Sequence, residues 1–298
     1  MTIATAIQQR GSGRAARAIG ISFGLAFAIA ASAAPASAAE PEGLVSLINA
    51  FRGQAQACGE QEGDAVAPLA PNAALDLEPA TSGAQLQQRL QASGYRPAKL
   101  QAISISGPTS TQAAMSALRQ RYCEPLRSQD YAEIGVARQG NTWQILLAKP
   151  LLPPDLGDWR EVGRSILQHV NAARGEPRQC GDQAFEAASA LDWSDTLAEA
   201  ALAHSQDMAR RDYFSHRAPN GEQAGDRARQ AGYRWSRVGE NIAAGQGSAE
   251  QVVAGWLASP GHCANIMNAA FTEMGAAYAT NEDSAAGSYW TQVFGTPR

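Results

Sequence analysis

The sequence predicts a mixed helix-and-strand (α+β) protein made of two related domains behind an export leader. Three observations carry this reading: an arginine-flanked apolar run at the N-terminus, five collinear self-matches along the remainder, and helix-spaced apolar stretches that give way to short Glu-x-Gly strand segments. The 298 residues exceed one ordinary domain. Their 24 Lys and Arg against 28 Asp and Glu leave a net charge of −4. Only Lys99 and Lys149 are lysines, and the basic residues are scattered, which argues against a nucleic-acid partner or an anionic membrane surface.

Arg10, Arg14 and Arg17 precede an apolar run from Ile19 to Ala34, and the small residues Ala36-Ser37-Ala38 follow. This pattern reads as a secretory leader over residues 1–38, cleaved before Ala39. The run is shorter than the ~20 residues a spanning helix needs, so no stable membrane insertion is expected after cleavage. Removing it takes away three arginines and no acids, leaving 21 basic against 28 acidic residues. Export to the periplasm or beyond the cell also places the cysteines where disulfides persist.

The remainder matches itself. Leu44 to Gly59 lies without gaps on Ile166 to Gly181, sharing Asn, Ala, Arg, Gly, Cys and Gly. Leu75-Asp76 matches Leu191-Asp192, and Gly83 to Arg96 lies on Gly221 to Arg234. Tyr131 to Gly135 then matches Phe271 to Gly275, and Trp143 to Pro150 matches Trp290 to Pro297. The expected organisation is a first domain over residues 39–150, a linker over 151–157 broken by Pro153 and Pro154, and a second domain over 158–298. Each copy holds two cysteines, so of the three pairings that four cysteines allow, repeat symmetry favours Cys58 with Cys123 and Cys180 with Cys263.

What only one copy holds is more informative. Between Leu-Asp and the Gly-x-Gln block the second copy carries Ser194 to Asn220 where the first has only Glu78 to Ser82, and that insertion contains His204 and His216. Glu240 faces Ala102 in the alignment, and His262 faces Tyr122. The candidate metal or acid/base groups are thus confined to the second domain, whereas Glu273 pairs with Glu133 and reads as structural.

Leu197, Ala201, His204 and Met208 fall on one helical stripe behind Ser194, a suitable N-cap, so His204 points inward as a core histidine or along a cleft wall. His216 sits on the loop beyond that helix. Ser259-Pro260-Gly261-His262 reads as an N-cap with proline at the first helical position. His262 then lies in the first turn, where the helix dipole favours the neutral ring. Glu240 is a ligand, an acid/base group or a surface carboxylate. Two or three imidazoles with one carboxylate form a set that suits a zinc-like divalent ion, here His216, His262 and Glu240.

At these residues the second domain resembles the CAP superfamily, the SCP-like or pathogenesis-related-1-like proteins, in its secreted bacterial branch. The matching text is His204-Ser-Gln-Asp-Met208, Tyr213-Phe-Ser-His216, Gly239-Glu-Asn-Ile-Ala243, Gly255 to Met267, and Tyr289-Trp-Thr-Gln-Val-Phe294. The resemblance implies an α-β-α sandwich with a central antiparallel sheet in each domain, the first a degenerate copy. It also implies a cleft lined by His204, His216, Glu240, Asn241, His262 and Gln292, able in some members to hold a divalent metal. Two departures stand out: Tyr289 occupies the position of a second histidine found in many eukaryotic members, and Ser259 that of a second glutamate.

Three functions are compatible with these residues. One is a binding module whose cleft takes a metal, a lipid-like molecule or a cell-envelope fragment. Another is a metal-assisted hydrolase with Glu240 as catalytic base for a bound water. The last is an extracellular protein-interaction module in which the first domain presents the second. No His-Glu-x-x-His helix and no Gly-x-Ser-x-Gly elbow occurs, which favours binding over catalysis.

Overall fold

The computed structural model describes residues 36–59, 63–152 and 155–298. The expected leader falls almost wholly outside them, as do Pro153 and Pro154 of the expected linker. Helix α1 (Ala36–Arg52) opens the chain, followed by β1 (Ala70–Pro71), a 3-10 turn at Ala73–Leu75, α2 (Gly83–Ser93), β2 (Lys99–Ser106), α3 (Thr111–Arg127), β3 (Glu133–Gln139) and β4 (Thr142–Lys149). The second half runs α4 (Trp159–Arg174), a hairpin of β5 (Arg178–Cys180) and β6 (Gln183–Phe185), β7 (Asp192–Trp193), α5 (Asp195–Arg211) and α6 (Ala224–Gln230). It closes with β8 (Trp235–Ala244), α7 (Ala249–Leu257), α8 (Pro260–Met267), β9 (Glu273–Thr280) and β10 (Ser288–Pro297). The fold is α+β, with each main sheet flanked by helices.

The two four-stranded sheets have the orders β1-β3-β4-β2 and β7-β9-β10-β8. Each is antiparallel except for its two-residue edge strand, which runs parallel to its neighbour. Alternation along the second sheet separates two cores. Met274, Ala276, Trp290 and Phe294 face α4, α7 and α8, while Ala277 and Val293 pack with Leu197 and Ala201 of α5 and Ala228 of α6. In the first sheet Ile103, Ile105, Ile134, Trp143, Ile145 and Leu147 pack with α1 and α3. Its other face has no counterpart of α5 and is covered by α2, which buries no residue completely.

Side chains that both halves share make the same bonds. The Asn49 amide donates to Leu69 O at 3.0 Å and accepts from Leu69 N–H, and Asn171 treats Leu191 identically. Arg52 Nε and its Nη atoms donate to the carbonyls of Ala67, Leu126, Ser128 and Tyr131; Arg174 donates to those of Ser189, Ile266, Asn268 and Phe271. Each guanidinium closes four buried or half-buried carbonyls that would otherwise lack partners. The repeated Glu-x-Gly has a steric reason too. A Cβ on Gly135 would sit 2.2 Å from the Leu75 backbone, and one on Gly275 would sit 2.0 Å from Ala198 N.

Disulfides join Cys58 to Cys123 and Cys180 to Cys263, as repeat symmetry favoured. The halves also bond across their seam: Gln246 Nε2 donates to Pro68 O at 3.0 Å, Asn49 Nδ2 to Ala258 O at 3.3 Å and Lys149 Nζ to Ala285 O at 2.7 Å. The described residues pack as one compact unit.

Candidate functional site

The site grows from β8, α5 and the loop between α5 and α6. Ser194 caps α5 by accepting from Leu197 N–H, worth about 1 kcal/mol, and the Leu197/Ala201/Met208 stripe turns inward with His204 on it. His204 is fully buried, and its Nε2 meets Ser215 O at 3.0 Å. A carbonyl only accepts, so Nε2 carries the proton and Nδ1 holds the lone pair. That bond secures the loop just before His216.

Glu240 points from β8 to the α5 side of the sheet and is the centre of the cluster. Its Oε1 lies 2.9 Å from His216 Nδ1 and 3.9 Å from His204 Nε2, and its Oε2 lies 2.7 Å from Arg227 Nη2. Burial pushes its carboxyl upward, but the His216 hydrogen bond, the neighbouring His204 imidazole and the charge of Arg227 outweigh this and hold it below the usual carboxylate range. Glu240 is therefore ionised, and His216 Nδ1 is the donor. The side chain of His216 is 57% exposed while that of Glu240 is 3% exposed, so His216 offers its Nε2 outward.

Arg227 is the functional residue that motif reading passed over. Besides Glu240 it donates to His216 O at 3.0 Å and Glu222 O at 3.1 Å, tying the loop to the strand. It lies on Arg89 in the internal alignment, and Arg89 likewise holds the carbonyls of Glu78 and Pro79. An arginine found at matching positions in both halves was the available signal. Asn265 of α8 is a second such residue: it donates to Glu240 O at 3.2 Å and Asn241 Oδ1 at 2.9 Å.

Asn241 and Gln292 are not cleft residues. Both are fully buried on the opposite face from Glu240, because neighbours along a strand point to opposite sides. Asn241 donates to His262 O and to Gln292 Oε1, and Gln292 Nε2 contacts Met274 Sδ at 3.3 Å. They form a satisfied polar rung beneath α8. The first half lacks all of this. Counting from Trp143 and Trp290, Ala102 holds the register of Glu240, Ile103 that of Asn241 and Ile145 that of Gln292.

His262 lies in the first turn of α8, half-buried, with Nδ1 2.9 Å from Ser259 Oγ. Its ring is held neutral, with a pKa of about 3, chiefly by desolvation, with the neighbouring His216 acting in the same direction. Burial lowers His204 to about 4. Among the described residues no three His, Cys, Asp or Glu side chains converge as ligands would. Glu240 has both oxygens engaged, one by a guanidinium whose charge opposes a dication. The set His216, His262 and Glu240 does not fit a three-ligand metal centre in this arrangement.

Residues 167–294 match the profile described as CAP: Cysteine-rich secretory protein family. This part of the chain is a CAP domain. It is 40% identical over 104 residues to YkwD and 35% identical over 85 residues to the membrane protein YlbC, both of Bacillus subtilis (strain 168). These matches cover 35% and 28% of the chain, and the chain spans only 38% and 25% of those relatives. Solved structures similar to the chain include an extracellular protein containing a SCP domain from Bacillus anthracis, at 26% identity, 52% coverage of each chain and TM-score 0.40. A cysteine-rich secretory protein from Staphylococcus aureus aligns at 13% identity over 51% of this chain and 50% of its own, with TM-score 0.36.

Proposed function

We propose that the protein is exported and that its CAP domain is a binding module for a small polar ligand of the cell envelope, engaged by His216. The observation that carries this reading is the His216–Glu240 pair: a buried carboxylate fixes the ring's tautomer and presents an imidazole acceptor to solvent. The surroundings are charged and hydrogen-bonding rather than apolar, which favours a hydroxyl- or amide-bearing fragment over a lipid chain. Two disulfides support export. No helix among the described residues is long and apolar enough to cross a membrane.

The test is titration of the purified protein with soluble peptidoglycan fragments and, separately, with phosphatidylglycerol vesicles, read by histidine NMR. Binding of the fragments that moves the His216 resonance and is lost in His216→Ala supports the reading; binding of vesicles alone overturns it. Elemental analysis of the same protein and of a His216→Ala/His262→Ala variant tests a metal at the two imidazoles. Equal metal content in both rules it out.

A second reading rests on the same pair. An imidazole oriented by a carboxylate is the base half of a hydrolytic site, with His216 rather than Glu240 accepting the proton. Hydrolysis of peptide or peptidoglycan substrates, abolished in His216→Ala, would establish it.

We further propose that the first half is a CAP-like copy that has lost this site. The shared sheet order and the matching bonds of Arg52 and Arg174 support common descent, and Ala102 in the register of Glu240 marks the loss.

A further inference from the structure

The seam between the halves holds a cavity that neither half has alone. Its volume is about 450 Å³, within the range of small-molecule sites. α1 and β3 supply Val45, Ile134 and Val136 to its wall, and α7 supplies Leu257 from the other half. Opposite charges stand at its edge. Arg178 enters from the β5–β6 hairpin with a buried Nε that has no hydrogen-bond partner among the described residues. Glu42 of α1 and Asp76, just beyond the 3-10 turn, enter from the first half.

We propose that this seam is a binding site for an apolar amino acid or dipeptide held as its zwitterion. The Arg178 side chain makes no hydrogen bond or ion pair among the described residues, and its two Nη atoms, unlike the buried Nε, are the donor pair that a carboxylate takes in bidentate fashion. Asp76 gives Oδ1 to Val136 N–H at 3.0 Å, which leaves Oδ2, with Glu42, to receive an ammonium group. An apolar side chain then fills the slot between Val45, Ile134, Val136 and Leu257. Burial and, to a lesser degree, the nearby charge of Glu42 push the Asp76 carboxyl up against the pull of the Val136 hydrogen bond, as expected where carboxylates lack a cation. The site is independent of His216 and Glu240. Hydrogen bonds from Gln246 to Pro68 and from Asn49 to Ala258 hold its two walls together without a ligand.

Isothermal titration calorimetry of the disulfide-bonded protein with leucyl-leucine tests this. Saturable binding at millimolar affinity or better is expected. N-acetyl-leucyl-leucine, which lacks the ammonium group, and leucyl-leucinamide, which lacks the carboxylate, should each bind at least about tenfold more weakly, a loss of ~1.4 kcal/mol. Arg178→Ala, on a surface hairpin, and Ala254→Trp, which fills the cavity from α7, should each weaken leucyl-leucine by a similar factor; His216→Ala should not. Thermal unfolding of each variant confirms that it is folded. No saturable heat with the wild-type protein, undiminished binding in Ala254→Trp, or equal binding of the blocked dipeptides overturns the proposal.

Discussion

His216 Nδ1 lies 2.9 Å from Glu240 Oε1, while the other oxygen of Glu240 lies 2.7 Å from Arg227 Nη2. One carboxylate thus serves two tasks. It neutralises a guanidinium that the fold has buried, and it sets which nitrogen of an exposed imidazole carries the proton. Because Arg227 also holds the His216 carbonyl, the loop cannot shift without disturbing the charge pair.

Glu240→Gln should destabilise the protein by ~3 kcal/mol, because Arg227 then keeps its charge at a buried site with no counter-ion. His216→Ala should cost less than about 1 kcal/mol, since the ring is largely exposed. Urea unfolding at neutral pH separates the two. Equal losses would mean that the Arg227 pair contributes no more than the exposed one.

Stability should fall as the pH drops from about 6.5 toward 4. His204 has a folded pKa of about 4 against 6.5 when unfolded, so between these values the unfolded chain takes up a proton that the folded protein refuses. The stabilisation from the neutral ring is complete above about 6.5 and declines by up to ~3 kcal/mol on acidification. Glu240, held below its usual range, adds a further loss in the same direction below that window. His204→Gln should flatten the slope between pH 6.5 and 4 in urea titrations; an unchanged slope would show that His204 is not its source.

Much of this was legible in the sequence, for identifiable reasons. The α5 stripe could be read because Leu197, Ala201 and Met208 repeat at helical spacing, and the cysteine pairing because each half repeats the same two positions. Arg227 escaped because the search was for groups that only one half holds, and Arg89 stands at its place in the other, where each arginine secures the preceding loop. Asn241 and Gln292 were misplaced because a motif gives neighbours in sequence but not the face each side chain takes. Once β8 is known to be a strand, Glu240 and Asn241 must point apart.

The Cys58–Cys123 bridge should open before Cys180–Cys263 under mild reductant. Cys58 and Cys123 are half-buried, whereas Cys180 and Cys263 are 4% and 0% exposed within the second core. Chain-entropy reasoning gives the two bridges similar weight, roughly 4 kcal/mol each for loops of this length, so accessibility and not loop size orders the reaction. Pulse alkylation with mass spectrometry should label Cys58 and Cys123 first. Simultaneous labelling of all four would mean that reduction follows global unfolding.

Arg52→Lys and Arg174→Lys should destabilise the protein by similar amounts, roughly 3 kcal/mol each. A lysine ammonium has three donors on a single atom and cannot span carbonyls spread over two loops, so buried acceptors are left unpaired in either half. Both changes should also shift one common unfolding transition. The halves share backbone-directed bonds from Gln246, Asn49 and Lys149 and bury α7 against β1, so loosening one core exposes the seam of the other. Urea unfolding followed by tryptophan fluorescence checks this, because Trp143 reports on the first core and Trp256 and Trp290 on the second. If Arg52→Lys split the transition and left the second core at its wild-type midpoint, the halves would be thermodynamically separate domains and the seam too weak to couple them.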